Sequence, residues 1–479
     1  MRPDRRKFIH DSLCAALGGV SAFSALGSLQ LVQAATRAGY YAFNDYKALV
    51  CVFLYGGNDS FNTVVPMSGP ARTAYQNVRP GLALPSAQLR ALNAPTNGAG
   101  SPGDGSTYGL HQGMPELATL FNAGHAAVVA NVGTLVGPVT KDQYQNGLPA
   151  LPPQLFSHAD QSSYWQSSPP SNTPLSGWGG RVADLVASAN PPGLPILTGL
   201  NGMDAFVRGQ DVNGYVMNAT SASTLNYPYD PAGSGIQAAF DSLRTAGTQA
   251  NALERTYAAT LKHSIDTASI ISAALAPPTP TFASFFPTPT GYDIDSQLQT
   301  VARLIWAAYN NVAGYSGLKR QVFFVTTGGY DTHNDELAQH QGLLPLLSRS
   351  LAGFYNALAS VGLANTTTAF TASDFGRSLS PNNGGTDHGW GSHQFVVGGA
   401  VNGGKFYGDN LSGTGSAQMP SLLNSASNPN DSGYGQIIPT TSVDQYSATL
   451  ANWFGLSGSD ITLLFPNLAN FSARNLGFV

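Results

Sequence analysis

The chain has 479 residues, of which 42% are hydrophobic and 10% charged, with 54 glycines, 31 prolines and a formal charge of −4. Recurrent apolar runs on this scale supply a large core and exclude a disordered or collagen-like chain. The mildly acidic balance excludes the electrostatic footprint of a nucleic-acid or anionic-lipid partner.

At the N-terminus, Arg5 and Arg6 precede Lys7 and Phe8, and an uncharged run rich in alanine, glycine and leucine follows as far as Ala34 and Ala35. This pattern predicts a twin-arginine export signal over residues 1–34. It implies a periplasmic or extracellular protein with no stable membrane span after cleavage. Cleavage removes four basic and two acidic side chains, which takes the formal charge from −4 to −6. Of the two cysteines, Cys14 and Cys51, only Cys51 then remains, so no internal disulfide can form.

"KALVCVFLYGGND" (47–59) reads as a strand buried on both faces, ending in a Gly-Gly turn and an acid. "MPELATLFNAG" (114–124) predicts a helix, "HAAVVANVG" (125–133) a second buried strand, and "GWGGRVADLVASA" (177–189) a helix before the strand "LPILTG". Helical patterns over 233–275 and 295–314 flank a proline-rich stretch, and suggest a helical insertion around residues 230–315 of one domain spanning 35–479. "RQVFFVTTGGYDTHND" (320–335) repeats strand, Gly-Gly and acid; a long helix follows, and "TTTAFTASDFGR" (366–377) again ends a strand on an acid. "HQFVVGG" and "GGKFYG" suggest a late hairpin, and "SVDQYSATLANWFG" a closing helix. Strands alternating with helices predict an α/β fold: a three-layer α/β/α sandwich around a mostly parallel sheet.

Three strands thus deliver Asp59, Asp331 and Asp374 at their carboxyl ends, where ligands sit in open α/β sheets. Clustered carboxylates repel unless a proton or a cation lies among them. Four of the nine histidines (His333, His340, His388 and His393) fall in the same region, and oxygen with imidazole suits a divalent metal. Asp331 and His333 point to one side of an extended segment. Asp387 and His388, flanked by Gly384, Gly385 and Gly389, come together if the loop bends. Bland roles exist beside these: Asp59 or Asp374 as helix caps, Asp374 as the partner of Arg377, and His340 in packing. Ser157 precedes His158 at a candidate helix start, where it is either a nucleophile or an N-cap with Asp160 in the capping-box position. The aromatic loops "SSYWQSS" and "SGYG" suit carbohydrate or protein contact.

"FLYGGNDSFNTVVP", "FSHADQSSYW", "GGYDTHND", "SDFGR", "TDHGWG", "GGKFYGD" and "PTTSVDQYSATLANWFG" resemble, in order, the bacterial exported family called domain of unknown function 1501. That family is in turn similar to the alkaline phosphatase and sulfatase superfamily. The resemblance implies an alkaline-phosphatase-like sandwich, aspartate and histidine ligands around one or two metal ions, and a serine, threonine or formylglycine nucleophile. By position Asp59 resembles the acid after the first strand, Asp331 with His333 an Asp-and-His pair, and Asp374 the acid of an Asp-His-Gly motif. Phe375 stands in place of that histidine, so His388 or His393 would substitute; no Cys-x-Pro-x-Arg signature is present, which excludes formylglycine.

The expectation is an exported hydrolase of phosphate or sulfate esters, small or polymer-borne. Its divalent metal is zinc by first preference, with manganese, calcium or iron as alternatives. Asp59, Asp331, His333, Asp374, Asp387 and His388 are the expected ligands, Ser157 the nucleophile, and Arg377 the group that steadies the substrate anion. The alternative is a non-catalytic scaffold that binds a surface polymer or another exported protein.

Overall fold

The strand β1 (Lys47–Leu54) is buried from Ala48 onward, and its side chains divide between two cores. Ala48, Val50, Val52 and Leu54 face one, while Leu49, Cys51 and Phe53 face the other. A strand apolar at every position therefore lies between two layers, as its sequence requires. The computed structural model describes residues 41–147, 150–168, 176–212, 214–223, 241–242, 245, 251–287, 293–409 and 419–479. The export signal over 1–34 lies outside them, as do residues 233–240, 243–244 and 246–250 of the first helical pattern.

After β1 come α1 (Gly69–Val78), α2 (Pro115–Asn122), β2 (Ala126–Gly133), α3 (His158–Ser167) and α4 (Trp178–Val186). The short strands β3 (Leu197–Gly199) and β4 (Tyr215–Val216) are followed by α5 (Ala252–Ala274) and α6 (Ile294–Tyr309). Then follow β5 (Arg320–Thr327), α7 (Glu336–Ala359), β6 (Thr367–Ser373), β7 (Arg377–Pro381) and β8 (Thr386–His388). The chain continues through β9 (Ser392–Gly398), β10 (Phe406–Tyr407), β11 (Thr441–Ser442) and α8 (Val443–Phe454).

Nine strands form one sheet in the order β10-β2-β9-β6-β1-β5-β3-β4, with β11 also paired to β2. All pairings are parallel except those of β9, which runs antiparallel to both β2 and β6. Side chains of α2, α5, α6 and α7 fill the core on one face, and those of α4 and α8 fill the core on the other. The result is the three-layer α/β arrangement expected from the sequence. Among the described residues no helix is long and apolar enough to cross a membrane.

The late hairpin does not form. β9 and β10 both pair with β2, on its opposite sides, so β2 separates them. β2 is buried along its whole length and needs a hydrogen-bonding neighbour on each edge. The intervening loop crosses the start of β2, with Gly398 N–H donating to His125 O and Gly404 N–H to Ala126 O.

The site depends on one feature of register. Leu54 stands opposite Thr327 of β5 and Ser373 of β6, so the three central strands end level. The segments that follow, Tyr55–Asp59, Gly328–Asp331 and Asp374, therefore emerge side by side at one edge of the sheet.

Candidate metal centre

Two glycines allow those segments to touch. A Cβ on Gly56, whose φ is +115°, would lie 2.4 Å from Asp331 N, and one on Gly57 would lie 2.6 Å from the Phe375 ring. Their absence brings the turn after β5 against the turn after β1. Ser373 Oγ donates to Leu54 O at 2.7 Å and accepts from Asn58 N–H at 2.9 Å, which ties the tip of β6 to the same turn. Gly56 N–H donates to Asp374 Oδ2 at 3.1 Å.

Asp331 is the centre of the cluster. His333 Nε2 lies 3.0 Å from its Oδ1, His388 Nε2 3.4 Å from its Oδ1, and His158 Nε2 3.5 Å from its Oδ2. His158, Asp331 and His388 present ligand atoms within 4.8 Å of one another. His333 Nε2 and His388 Nε2 are 3.0 Å apart. Asp331 and His333 are half-exposed, with 46% and 42% of their side chains accessible, so the cluster opens to solvent.

Each imidazole also has an oxygen partner for its Nδ1. His158 Nδ1 pairs with Asp374 Oδ2 at 2.7 Å, His333 Nδ1 with Asp387 Oδ1 at 3.0 Å, and His388 Nδ1 with Phe156 O at 2.7 Å. Such partners place the proton on Nδ1 and leave the Nε2 lone pair for a metal. The Phe156 carbonyl reaches His388 from a strained turn, in which Gln154 and Phe156 adopt φ of +51° and +70°.

The donor set fits a divalent cation. His158 Nε2 is buried, makes no hydrogen bond among the described residues and faces a carboxylate. Two Nε2 atoms face each other across 3.0 Å. A lone pair aimed at a carboxylate or at another lone pair repels unless a proton or a metal lies between them, and nitrogen ligands with one carboxylate suit zinc.

The charges are arranged to match. The hydrogen bond to Asp374 raises the His158 pKa against the opposing effect of burial. Burial lowers that of His388, in spite of its bond to Phe156 O. Burial pushes the Asp331 carboxyl up, but the Arg377 hydrogen bond and charge, with His158 and His333, outweigh it and hold the group below its ordinary value. Asp387 is likewise held low, chiefly by the hydrogen bond from Asn382.

Of the expected residues, the structure gathers Asp331, His333, Asp374, Asp387 and His388. Asp374 and Asp387 bond the outer nitrogens of His158 and His333, in the position of groups that orient ligands. Arg377, expected to steady a substrate anion, has a fully buried guanidinium spent within the protein. It bonds Asp331 Oδ1 at 2.6 Å, Gly56 O at 3.2 Å and Thr386 O. Its acid is therefore Asp331, and Asp374 bonds His158 instead. Asp59 stands apart, in a fully buried ion pair of 2.7 Å with Arg79. Ser157 occupies the N-cap position of α3, but its hydroxyl accepts no capping bond from a backbone N–H and donates to Asp160 Oδ2 at 2.6 Å. His340 and His393 are buried behind the site.

His158 is the residue that sequence reasoning underweighted. Its signal was faint: a histidine after a candidate N-cap in "LFSHADQ", far along the chain from the strand-end acids. Only the packing of α3, which sets His158 against Asp374, brings it into the cluster.

The fold and site together define an α/β protein with a carboxylate–imidazole centre at the carboxyl edge of a mostly parallel sheet. The profile of the family described as "Protein of unknown function (DUF1501)" matches residues 46–420, and the chain belongs to that family. None of the curated proteins compared with the chain matches it. Among solved structures, the chain is similar to the lipoteichoic acid synthase LtaP from Listeria monocytogenes, at 8% identity over 93% of this chain and 82% of that chain, with a TM-score of 0.34. It is also similar to Ps i-CgsB in complex with k-i-k-neocarrahexaose, at 10% identity over 90% of this chain and 78% of that chain, with a TM-score of 0.34. At that TM-score neither likeness carries the argument further, and the fold rests on the strand order above.

Proposed function

We propose that this chain is an exported, metal-dependent hydrolase of phosphate or sulfate esters. The observation that supports it is the convergence of His158, His333 and His388 Nε2 on the Asp331 carboxylate, each ring backed at Nδ1 by an oxygen acceptor. His158, Asp331 and His388 would hold the ion, with His333 beside them, and zinc is the first choice for that donor set. A divalent ion there supplies a Lewis acid that polarises the ester and offsets charge on the leaving oxygen.

The protein's own groups prepare this. Arg377 fixes Asp331, while Asp374, Asp387 and Phe156 O fix the three rings. Ser157 stands one residue before His158 at the start of α3, and Asp160 is placed to take its hydroxyl proton. The half-exposed face of Asp331 and His333 is the approach for the ester. Because the molecule as a whole is acidic, an anionic substrate needs that local positive centre.

The test is a panel of phosphate and sulfate mono- and diesters, assayed on zinc-loaded protein with and without chelator. Turnover is expected on at least one ester and is lost with chelator. His158→Ala is expected to stay folded, by circular dichroism, with metal affinity lower by at least about a hundredfold. Zinc-loaded wild type that hydrolyses none of the panel would overturn the catalytic reading and leave the scaffold alternative.

A further inference from the structure

Behind the centre lies a polar group that the metal reading does not use. Asp59, after the end of β1, and Glu336, the first residue of α7, are both 0% exposed. Asp59 Oδ2 accepts from Arg79 Nη1 at 2.7 Å, and its Oδ1 accepts from Phe61 N–H at 3.1 Å. Glu336 accepts from Asn62 Nδ2 at 3.1 Å, Thr332 Oγ1 at 3.3 Å and Thr386 Oγ1 at 2.5 Å. Asn62 joins the two acids, accepting from Arg79 Nη1 at 3.0 Å and donating to Glu336, so both buried carboxyls belong to one closed network that holds a single guanidinium. A network of that make-up is balanced when one carboxyl keeps its proton.

Counting charge leads to the same place. Arg79 contributes one positive charge, and Arg377 is bonded to Asp331. Burial keeps His340 and His393 neutral, with values lowered to about 4. The His393 ring accepts the Asn131 N–H at Nδ1, so its other nitrogen carries a hydrogen and is not a metal ligand. Two buried carboxylates facing one guanidinium leave an excess negative charge, which a buried site relieves by binding a proton or a cation. Among the described residues, the ligand atoms grouped within 4.8 Å belong to His158, Asp331 and His388, so Asp59 and Glu336 lack a third ligand.

We infer that Asp59 and Glu336 share one proton and, with Arg79, form a neutral support under the metal centre in place of a second cation site. Glu336 is then a positioning residue. Its outer oxygen holds the Thr386 hydroxyl; the Thr386 carbonyl and hydroxyl hold Arg377; and Arg377 holds Asp331. The burial of Glu336 beside Asp59 raises its pKa to about 8, which agrees with a proton retained at neutral pH. The support role rests on the proposed metal site, whereas the shared proton does not.

Two measurements on the full chain separate these parts. The first is the infrared difference spectrum of wild type minus Glu336→Gln at neutral pH in chelator. It should show one carboxylic-acid carbonyl band, which titrates away as pH rises through about 8. Absence of that band overturns the shared proton. The second is zinc content and affinity by chelator competition. Wild type and Glu336→Gln should each hold about one zinc per chain with affinities within about twofold, while Glu336→Ala is weaker by about tenfold, as for loss of an outer support. Two zincs per wild-type chain, or a Glu336→Gln as weak as Glu336→Ala, overturns the neutral support. If wild type binds no zinc, both the metal reading and the support role fall, and the infrared band alone decides the shared proton.

Discussion

At Glu336 the shared proton has a consequence for stability as well as for the centre. Its folded value, about 8, lies above the ordinary 4.5 of an unfolded glutamate. A raised acid stabilises the fold fully below the unfolded value, and that contribution is lost as pH rises through the folded one. The comparison of the two proteins from pH 6.5 to 8 isolates the effect, because His158, raised above 6.5, titrates in that window in both. Burial holds His111, His340 and His393 near 4 and Asp444 near 6, so they change little there. The groups facing Glu336 are Asp59 and Arg79, which keep their charges throughout. In chelator, wild type should lose about 1–2 kcal/mol relative to Glu336→Gln across that window, with a slope near 1.4 kcal/mol per pH unit at its lower end that halves by about pH 8. Parallel urea-unfolding curves for the two proteins at both pH values would sink the assignment. Residue types were only partly legible here. Asp331, His333 and His388 stand out because an acid follows each apolar strand and imidazoles crowd the same segment. The neutralisation of Asp59 was hidden, because Arg79 lies just past the C-terminal end of α1, and its approach depends on tertiary packing that no periodicity announces.

At the scale of elements, the grammar of strand, Gly-Gly and acid was readable because each part answers a physical demand. Apolar runs must be buried on both faces, and the Gly-Gly turn after β1 must let two loops touch. That second demand can be tested. Gly56→Ala places a methyl 2.4 Å from the Asp331 backbone at a φ of +115°, against backbone that cannot yield cheaply. The substitution should cost about 1–3 kcal/mol in unfolding free energy. It should also weaken zinc binding, because it moves the loop that carries Asp331. Gly81→Ala, at a φ of +83° with no atom within 4 Å, is the control; it should leave zinc affinity unchanged. Equal zinc affinity in Gly56→Ala would mean that the contact does not position the acid. The late hairpin was misread for the complementary reason. Two short strands separated by glycines look like partners, but pairing is decided by which buried strand still needs hydrogen bonds, and β2 claims both.

For the molecule as a whole, the proposed ion would join segments that the chain keeps far apart: α3 with His158, the loop after β5 with Asp331, and β8 with His388. An unfolded chain cannot assemble these groups, so metal binding should act almost entirely on the native state. At a free zinc concentration one hundred times the dissociation constant, linkage stabilises the fold by about 2.7 kcal/mol. In a chain of 479 residues that corresponds to a rise of a few degrees in the thermal midpoint. Thermal unfolding of wild type should therefore shift upward with zinc and back with chelator, while His158→Ala shows neither shift. A zinc-dependent shift of the same size in both proteins would show that the ion binds elsewhere. No shift in either would remove the ion from the account of why so charge-poor a protein gathers these acids and imidazoles at one edge of its sheet.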